Sequence, residues 1–481
     1  MSRSEAILDK LKTISDWKLW GIFFVYSLGV SLLIQLILLP YIFPQWHAGS
    51  GLIIGGDFVR FHTYASEQAA AVSQLGWDNF SFYPRGQFVS GIASVFYIFL
   101  FPVPAAVLPL NAVLHATAGL LCFKIINKLT QERIPSLLGA SLFVFFPSSL
   151  RWVSQMHNDN YAVLGAILFL YGWTQLDTFL ETRSYRPLLF GFIGVFGGLL
   201  LIGVVRDYLL EIYFVASILL GLYLVGKMII SMGWRSYWPG IGGVVLLILF
   251  QRIATQSVYL PLVQSLRQGQ DIGEILEDSV LQSDLAGTEE VLERSPLFWE
   301  ETSYLPVALD DKIHELAVKR HRLALNWSDG GSGIDADVDL NSSGETLLYV
   351  PRSLQIALFA PFPNDWFDQG TKPPSNFMRR VAAIEMGFVY VLFLFLPFGL
   401  LRWRKSSTLY LVLLYSLFFL TIYAIATPNV GNLYRFRYPF FMLLVSLSAT
   451  SSIHLISNRI MARQRAGSGQ RLDPVGDMKN S

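Results

Sequence analysis

The chain has 481 residues, 53% of them hydrophobic and 15% charged, with a mean hydropathy of +0.45. A water-facing domain carries about 25% charged residues, so the composition excludes a soluble protein and predicts an all-α polytopic membrane protein. The formal charge is +1, from 36 Lys and Arg against 35 Asp and Glu, which offers no field for nucleic acid. The single cysteine, Cys122, excludes an intrachain disulfide framework and a CxxC metal site.

A bilayer core of about 30 Å needs about 20 apolar residues as helix, because backbone polar groups find no water there. Ten segments meet this test, at about 19–43, 106–126, 135–150, 160–178, 188–205, 209–226, 239–257, 381–401, 408–426 and 438–457. The first is longer than a signal-peptide core and lacks a small-residue cleavage site, so it reads as a retained anchor. Gln87–Phe101 is also apolar but ends in Pro102-Val103-Pro104, and it reads as an interfacial helix that does not cross.

With the N-terminus in the cytoplasm, every short basic cluster falls inside: Lys12 and Lys18, Lys124 to Arg133, Arg183 and Arg186, Lys227 and Arg235, Arg402 to Lys405, and Arg459 to Arg465. Counting Gln87–Phe101 as a crossing would turn all the later clusters outward. The expected divisions are an N-terminal membrane module, 1–258, whose first outer loop, 45–87, carries candidate chemistry; a large non-cytoplasmic region, 259–380; the C-terminal helices, 381–458; and a disordered cytoplasmic tail, 459–481. The large region should hold helices at Glu274–Glu293 and Asp310–Leu325, a turn-rich stretch from Trp327 to Asp335, and an apolar, proline-punctuated stretch, Leu347–Trp366, lying along the membrane surface.

Ionisable residues near membrane depth are costly enough to be candidates for function. In the first outer loop, Gly55-Gly56-Asp57 places a carboxylate where backbone and substrate can come close, followed by His62 and Tyr64. A solvated turn explains Asp57 equally well. The second outer loop packs Arg151, His157 and Asp159 between two apolar spans, where Asn158 or Asp159 could instead cap the next helix. Arg206 interrupts an apolar stretch, and Arg435 and Arg437 precede the last span. Outside the membrane such arginines need anionic partners, and a phosphate or Glu385 would serve. His314 and His321 are crowded by Lys319, Arg320 and Arg322, so that helix reads as a solvated face rather than a metal site.

An acidic residue soon after the first span, a second acidic turn after the third, and the run Tyr434-Arg-Phe-Arg-Tyr-Pro439 before the last resemble the GT-C class of membrane glycosyltransferases. The likeness is to the bacterial dolichyl-phosphate-mannose-protein-mannosyltransferase-like and RgtA/B/C/D-like families. It covers most of the chain as architecture but only a few short motifs in detail. The paired Asp-Glu of many first-loop motifs is replaced here by Gly56-Asp57, and no WWD-type motif is present.

The resemblance implies transfer of a sugar, with inversion, from a polyprenyl-phosphate donor to a hydroxyl of a lipid, glycan or protein acceptor at the outer face of a bacterial inner or plasma membrane, both termini being cytoplasmic. Asp57 and Asp159 would be the catalytic carboxylates, with Asp57 as base. Arg435, Arg437 and Arg206, with His62, Tyr64 and His157, would bind donor or acceptor. A divalent metal, magnesium or manganese, stays open, with Asp57 and Asp159 to hold it. A polysaccharide polymerase or ligase, and a lipid-linked glycan transporter, are the alternatives.

Overall fold

The computed structural model describes residues 11–231, 234–267, 297–326, 332–368 and 373–467. Among these the secondary structure is helical, with only isolated β-bridges beside it. In chain order the longer helices are α1 (Asp16–Leu33, continuing as a π-helix to Ile42), α2 (Asp57–Leu75), α3 (Phe88–Phe99), α4 (Leu108–Thr130), α5 (Arg133–Phe145), α6 (Asp159–Thr182), α7 (Tyr185–Arg206), α8 (Leu210–Ser231) and α9 (Trp234–Ala254). They are followed by α10 (Val307–Asn326), α11 (Ser343–Phe359), α12 (Pro373–Phe393), α13 (Ser407–Ala426) and α14 (Tyr438–Gly467).

Eight segments are long and apolar enough to cross a membrane, and the pair Arg133–Phe145 and Pro147–Val153, bent by 42°, makes a ninth. One of the eight, Tyr185–Ile230, is 46 residues long. As a straight helix it would reach about 69 Å, roughly twice a bilayer core. Its contacts show instead a hairpin: Arg206 pairs with Asp159 at the start of α6, whereas Lys227 pairs with Asp177 near the end of α6, at 2.7 Å. The backbone breaks at Arg206 (φ −154°, ψ 65°), so α7 and α8 cross separately and the ten expected spans are all accounted for.

Ion pairs sort the bundle into two ends. At one, buried Asp177 takes Lys227 and the Ser407 hydroxyl, Glu132 takes His454 at 2.5 Å and Arg402 at 3.8 Å, and Asp16 takes Lys124 at 3.2 Å. These are the loops in which the sequence placed its basic clusters, and we call this the basic end. Asp57, Asp159, Arg206 and Arg435 lie at the other, the loop end. The α3 helix is 12 residues, about 18 Å, and does not span a bilayer.

The α6–α7 pairing fixes the loop end most tightly. A Cβ on Gly172 would come within 2.5 Å of the Val195 nitrogen, and one on Gly194 within 2.5 Å of the Gly172 Cα. Small residues at this crossing let the backbones touch, as membrane helices do where no hydrophobic drive separates lipid from protein. The consequence is that the first residue of α6, Asp159, and the last of α7, Arg206, are held at one level.

Three expectations need correction. The first outer loop is not a loop throughout, because 57–75 forms α2, whose Phe58, Phe61, Ala65, Ala69 and Val72 are buried at helical spacing. The stretch 347–366 does not simply lie along the surface. It belongs largely to α11, capped by the Ser342 hydroxyl accepting the Glu345 N–H at 3.2 Å, and it packs on α13 with Ile356 and Ala357 buried. The last helix continues past 459 to Gly467. The helix expected at 310–325 is present as α10, whereas 274–293 lies outside the described residues.

Candidate functional site

Asp159 is 2% exposed and both of its carboxylate oxygens are engaged. Oδ1 accepts from Arg206, and Oδ2 accepts from Arg435 Nε at 2.9 Å. Arg206 stacks over the Phe436 ring, its Cζ 4.5 Å from the centroid, so the last loop and the α6–α7 hairpin are tied through one aromatic and one carboxylate. An unpaired charge here would be very costly, and two guanidiniums around one carboxylate keep the acid ionised. Asn158 makes no side-chain cap, so the capping alternative belongs to neither residue.

His157 sits against this pair. Its Nδ1 lies 3.2 Å from both the Asp159 backbone nitrogen and the Asp159 Oδ2. Burial pushes its imidazole down to about 3, against the pull of Asp159 and with added push from Arg435, Arg206 and Arg151.

Beside the floor formed by Asp159, Arg206 and Arg435 lie Arg151, Tyr208 and Lys319, all exposed: Arg151 is near enough to feel the charges of Asp159 and Arg435, and Tyr208 and Lys319 that of Arg206. Among the described residues neither Arg151 nor Lys319 has an ion-pair partner. Lys319 Nζ lies 4.2 Å from the Tyr208 ring centroid, and burial, then the Arg206 charge, lowers its ammonium to about 8. The local balance is therefore two carboxylates, Asp159 and Asp207, against three guanidiniums and an ammonium. Beneath the floor a narrow crevice continues between spans, lined by Ala162, Ile202, Tyr213 and Phe440.

Lys319 is exposed, but its neighbour is not. Arg320 is 1% exposed and donates to the carbonyls of Val338 (3.1 Å), Ile425 (3.1 Å) and Asp335, which anchors α10 to the end of α13. The sequence reading of this helix as a solvated face is corrected at Arg320, a buried anchor, and holds for Lys319. Of the two histidines there, His314 stacks on Trp299 and His321 meets Asp339 at 2.7 Å.

The remaining candidates are distributed more widely. Asp57 opens α2, is half exposed, and lies 3.4 Å from Arg60. It borders the cluster through its neighbour Phe58, whose ring is 6.3 Å from that of His157. His62 hydrogen bonds Tyr97 at 2.8 Å, and the Tyr97 hydroxyl in turn touches the Met156 sulfur. Tyr64 is buried under Arg85 and serves to pack α2.

Arg437 is separated from this cluster. It is 1% exposed, donates to the Ala357 carbonyl at 2.7 Å, and is sandwiched by Tyr434 and Phe441. Its guanidinium closes the C-terminal end of α11 rather than an outer cavity. Glu385 makes no direct ion pair with these arginines among the described residues, since its oxygens accept from the Ser148 N–H (2.5 Å) and the Tyr434 hydroxyl (2.6 Å), but its charge acts on Arg437 through space.

Asp159 does not suit a divalent cation, because both oxygens hold guanidiniums whose charge would repel it. Among the described residues no three His, Cys, Asp or Glu side chains gather into a metal-binding group. No family model, curated protein or solved structure matches the chain. What the site offers is a buried carboxylate held by Arg206 and Arg435 over a narrow crevice, with the exposed cations Arg151 and Lys319 near it and Asp57 at its border.

Proposed function

We propose that the chain is a GT-C-type membrane glycosyltransferase that moves a sugar from a polyprenyl-phosphate donor to an acceptor hydroxyl. The carrying observation is the excess of Arg151, Arg206, Arg435 and Lys319 over Asp159 and Asp207 at the loop end of the bundle. In this reading Asp159 holds Arg206 and Arg435 in place, and the unpaired cations Arg151 and Lys319 receive the donor phosphate. The loop end faces away from the cytoplasm, with both termini inside.

The step is a single displacement. The acceptor oxygen bonds to the anomeric carbon as the bond from that carbon to the phosphate oxygen breaks, and the lipid phosphate leaves with the electron pair. Preorganised cations favour that departure because negative charge grows on the phosphate in the transition state. Asp57, exposed and beside the cluster, takes the acceptor proton and releases it to water. Attack from the face opposite the phosphate inverts the anomeric centre.

The test is turnover of a polyprenyl-phosphate sugar by the protein in nanodiscs. Arg151→Gln and Lys319→Gln should each raise the donor KM and lower kcat. Unchanged kinetics in both variants would remove the reading.

A further inference from the structure

The basic end carries a second charged site unrelated to the Asp159 cluster. An open groove lies between the end of α4 and the turn joining α12 to α13, with Arg402, Trp403, Arg404 and Lys405 on one wall and Thr130 and Gln131 on the other. The charges on that wall are not equivalent. Arg402 shares Glu132 with His454, at 3.8 and 2.5 Å. Arg404 and Lys405 have no acidic partner among the described residues, and the turn carrying them is fixed by the Tyr410 hydroxyl donating to the Arg404 carbonyl at 2.8 Å.

A second observation points to a ligand. Trp403 is 6% exposed, packs edge-on against His454, and its indole N–H has no acceptor. A buried donor left unmade costs about 1–3 kcal/mol, and such a group normally has a partner. Two cations without acidic partners, on the turn that also carries this buried indole N–H, match an acceptor with several anionic oxygens, which is the chemistry of a phosphate.

The surroundings decide between a free phosphate and a lipid. Leu394, Phe398 and Leu401 are 69%, 54% and 65% exposed and follow one another at helical spacing from the groove toward the middle of the span. A soluble anion has no use for that stripe, whereas an acyl chain lies along it. We infer that the Arg402–Lys405 groove binds the phosphate headgroup of an anionic phospholipid in the leaflet at the basic end, with one acyl chain on the Leu394–Leu401 face.

The test uses the full chain in detergent micelles, titrated with phosphatidylglycerol or phosphatidylcholine and read by native mass spectrometry, with inorganic phosphate as competitor. Phosphatidylglycerol should be retained in preference to phosphatidylcholine, and inorganic phosphate should not displace it. Juxtamembrane cations each contribute about fivefold to binding an anionic surface, so Arg404→Gln with Lys405→Gln should weaken phosphatidylglycerol about tenfold or more. Trp403→Phe keeps an aromatic ring but loses the five-membered ring with its N–H, and it should also weaken binding even if the double variant fails to fold. Equal retention of the two lipids, or wild-type retention by Trp403→Phe and by the double variant, would overturn the inference. Displacement by inorganic phosphate would overturn the lipid assignment.

Discussion

Arg435 donates through Nε to Oδ2 of Asp159 at 2.9 Å, across 276 residues of chain. That bond joins the loop before the last span to the first residue of α6, and Arg206 completes it from the end of α7. The loop end of the bundle is therefore closed on a carboxylate.

Removing that carboxylate should be severe. Asp159→Ala leaves buried Arg206 without its counter-charge, and breaking a buried pair from one side costs about 3–5 kcal/mol. Arg435→Gln should cost less, since its side chain is 19% exposed and Arg206 still neutralises Asp159. Thermal unfolding in detergent should rank the two in that order. Equal stabilities would mean that the cluster does not hold the loops together.

Arg437→Ala should behave as a folding variant rather than a binding variant. Its loss leaves the Ala357 carbonyl short of a donor, and it removes a cation between Tyr434 and Phe441. An unmade buried hydrogen bond costs about 1–3 kcal/mol, so the melting temperature should fall. The donor KM of the fraction that stays folded should match wild type. A raised KM at unchanged stability would return Arg437 to the donor site.

How much of this was legible in sequence depends on whether the signal was local. The spans and their parity were readable because span length and the placement of Lys124, Lys128, Lys227 and Arg402 are properties of contiguous residues. The α2 helix was equally readable, since Phe58, Phe61, Ala65, Ala69 and Val72 repeat at helical spacing, but its low overall hydropathy hid it behind the search for spans. Arg320 was not readable. Only the long-range bond from Arg320 to the Ile425 carbonyl, 105 residues away, decides which member of that charge run is buried. Arg435 and Arg437 illustrate the same limit: two residues apart on the same short segment, one meets a carboxylate and the other a helix end.

Lys319 should make donor binding depend on pH. Its folded pKa, about 8, lies below the ordinary 10.5, so between these values the unfolded chain holds the extra proton. The stability penalty of charging Lys319 is thus fully present below about 8 and is relieved as pH rises toward 10.5. Donor affinity should run the other way. The charged ammonium that attracts phosphate is lost as pH rises through about 8, so the donor KM should climb there. Lys319→Arg keeps the charge and should flatten the profile, whereas an identical climb in that variant would assign the titration elsewhere.

Asp57→Asn should abolish transfer without disturbing the fold or donor binding. The carboxylate is 49% exposed and its only ionic contact in the structure is Arg60, one helical turn away at 3.4 Å. At the first turn of α2 its charge favours the helix dipole by about 0.3–1 kcal/mol, so neutralising it barely moves the melting temperature. A base is required only while the acceptor hydroxyl attacks, and its removal appears in kcat, whereas donor affinity depends on Arg151 and Lys319, which the substitution leaves in place. Comparing donor-lipid binding with turnover in the same nanodisc preparation separates these quantities. Wild-type turnover by Asp57→Asn would remove the base assignment. A loss of donor binding in parallel with turnover would move Asp57 from proton transfer to shaping the site through the contact of Phe58 with His157.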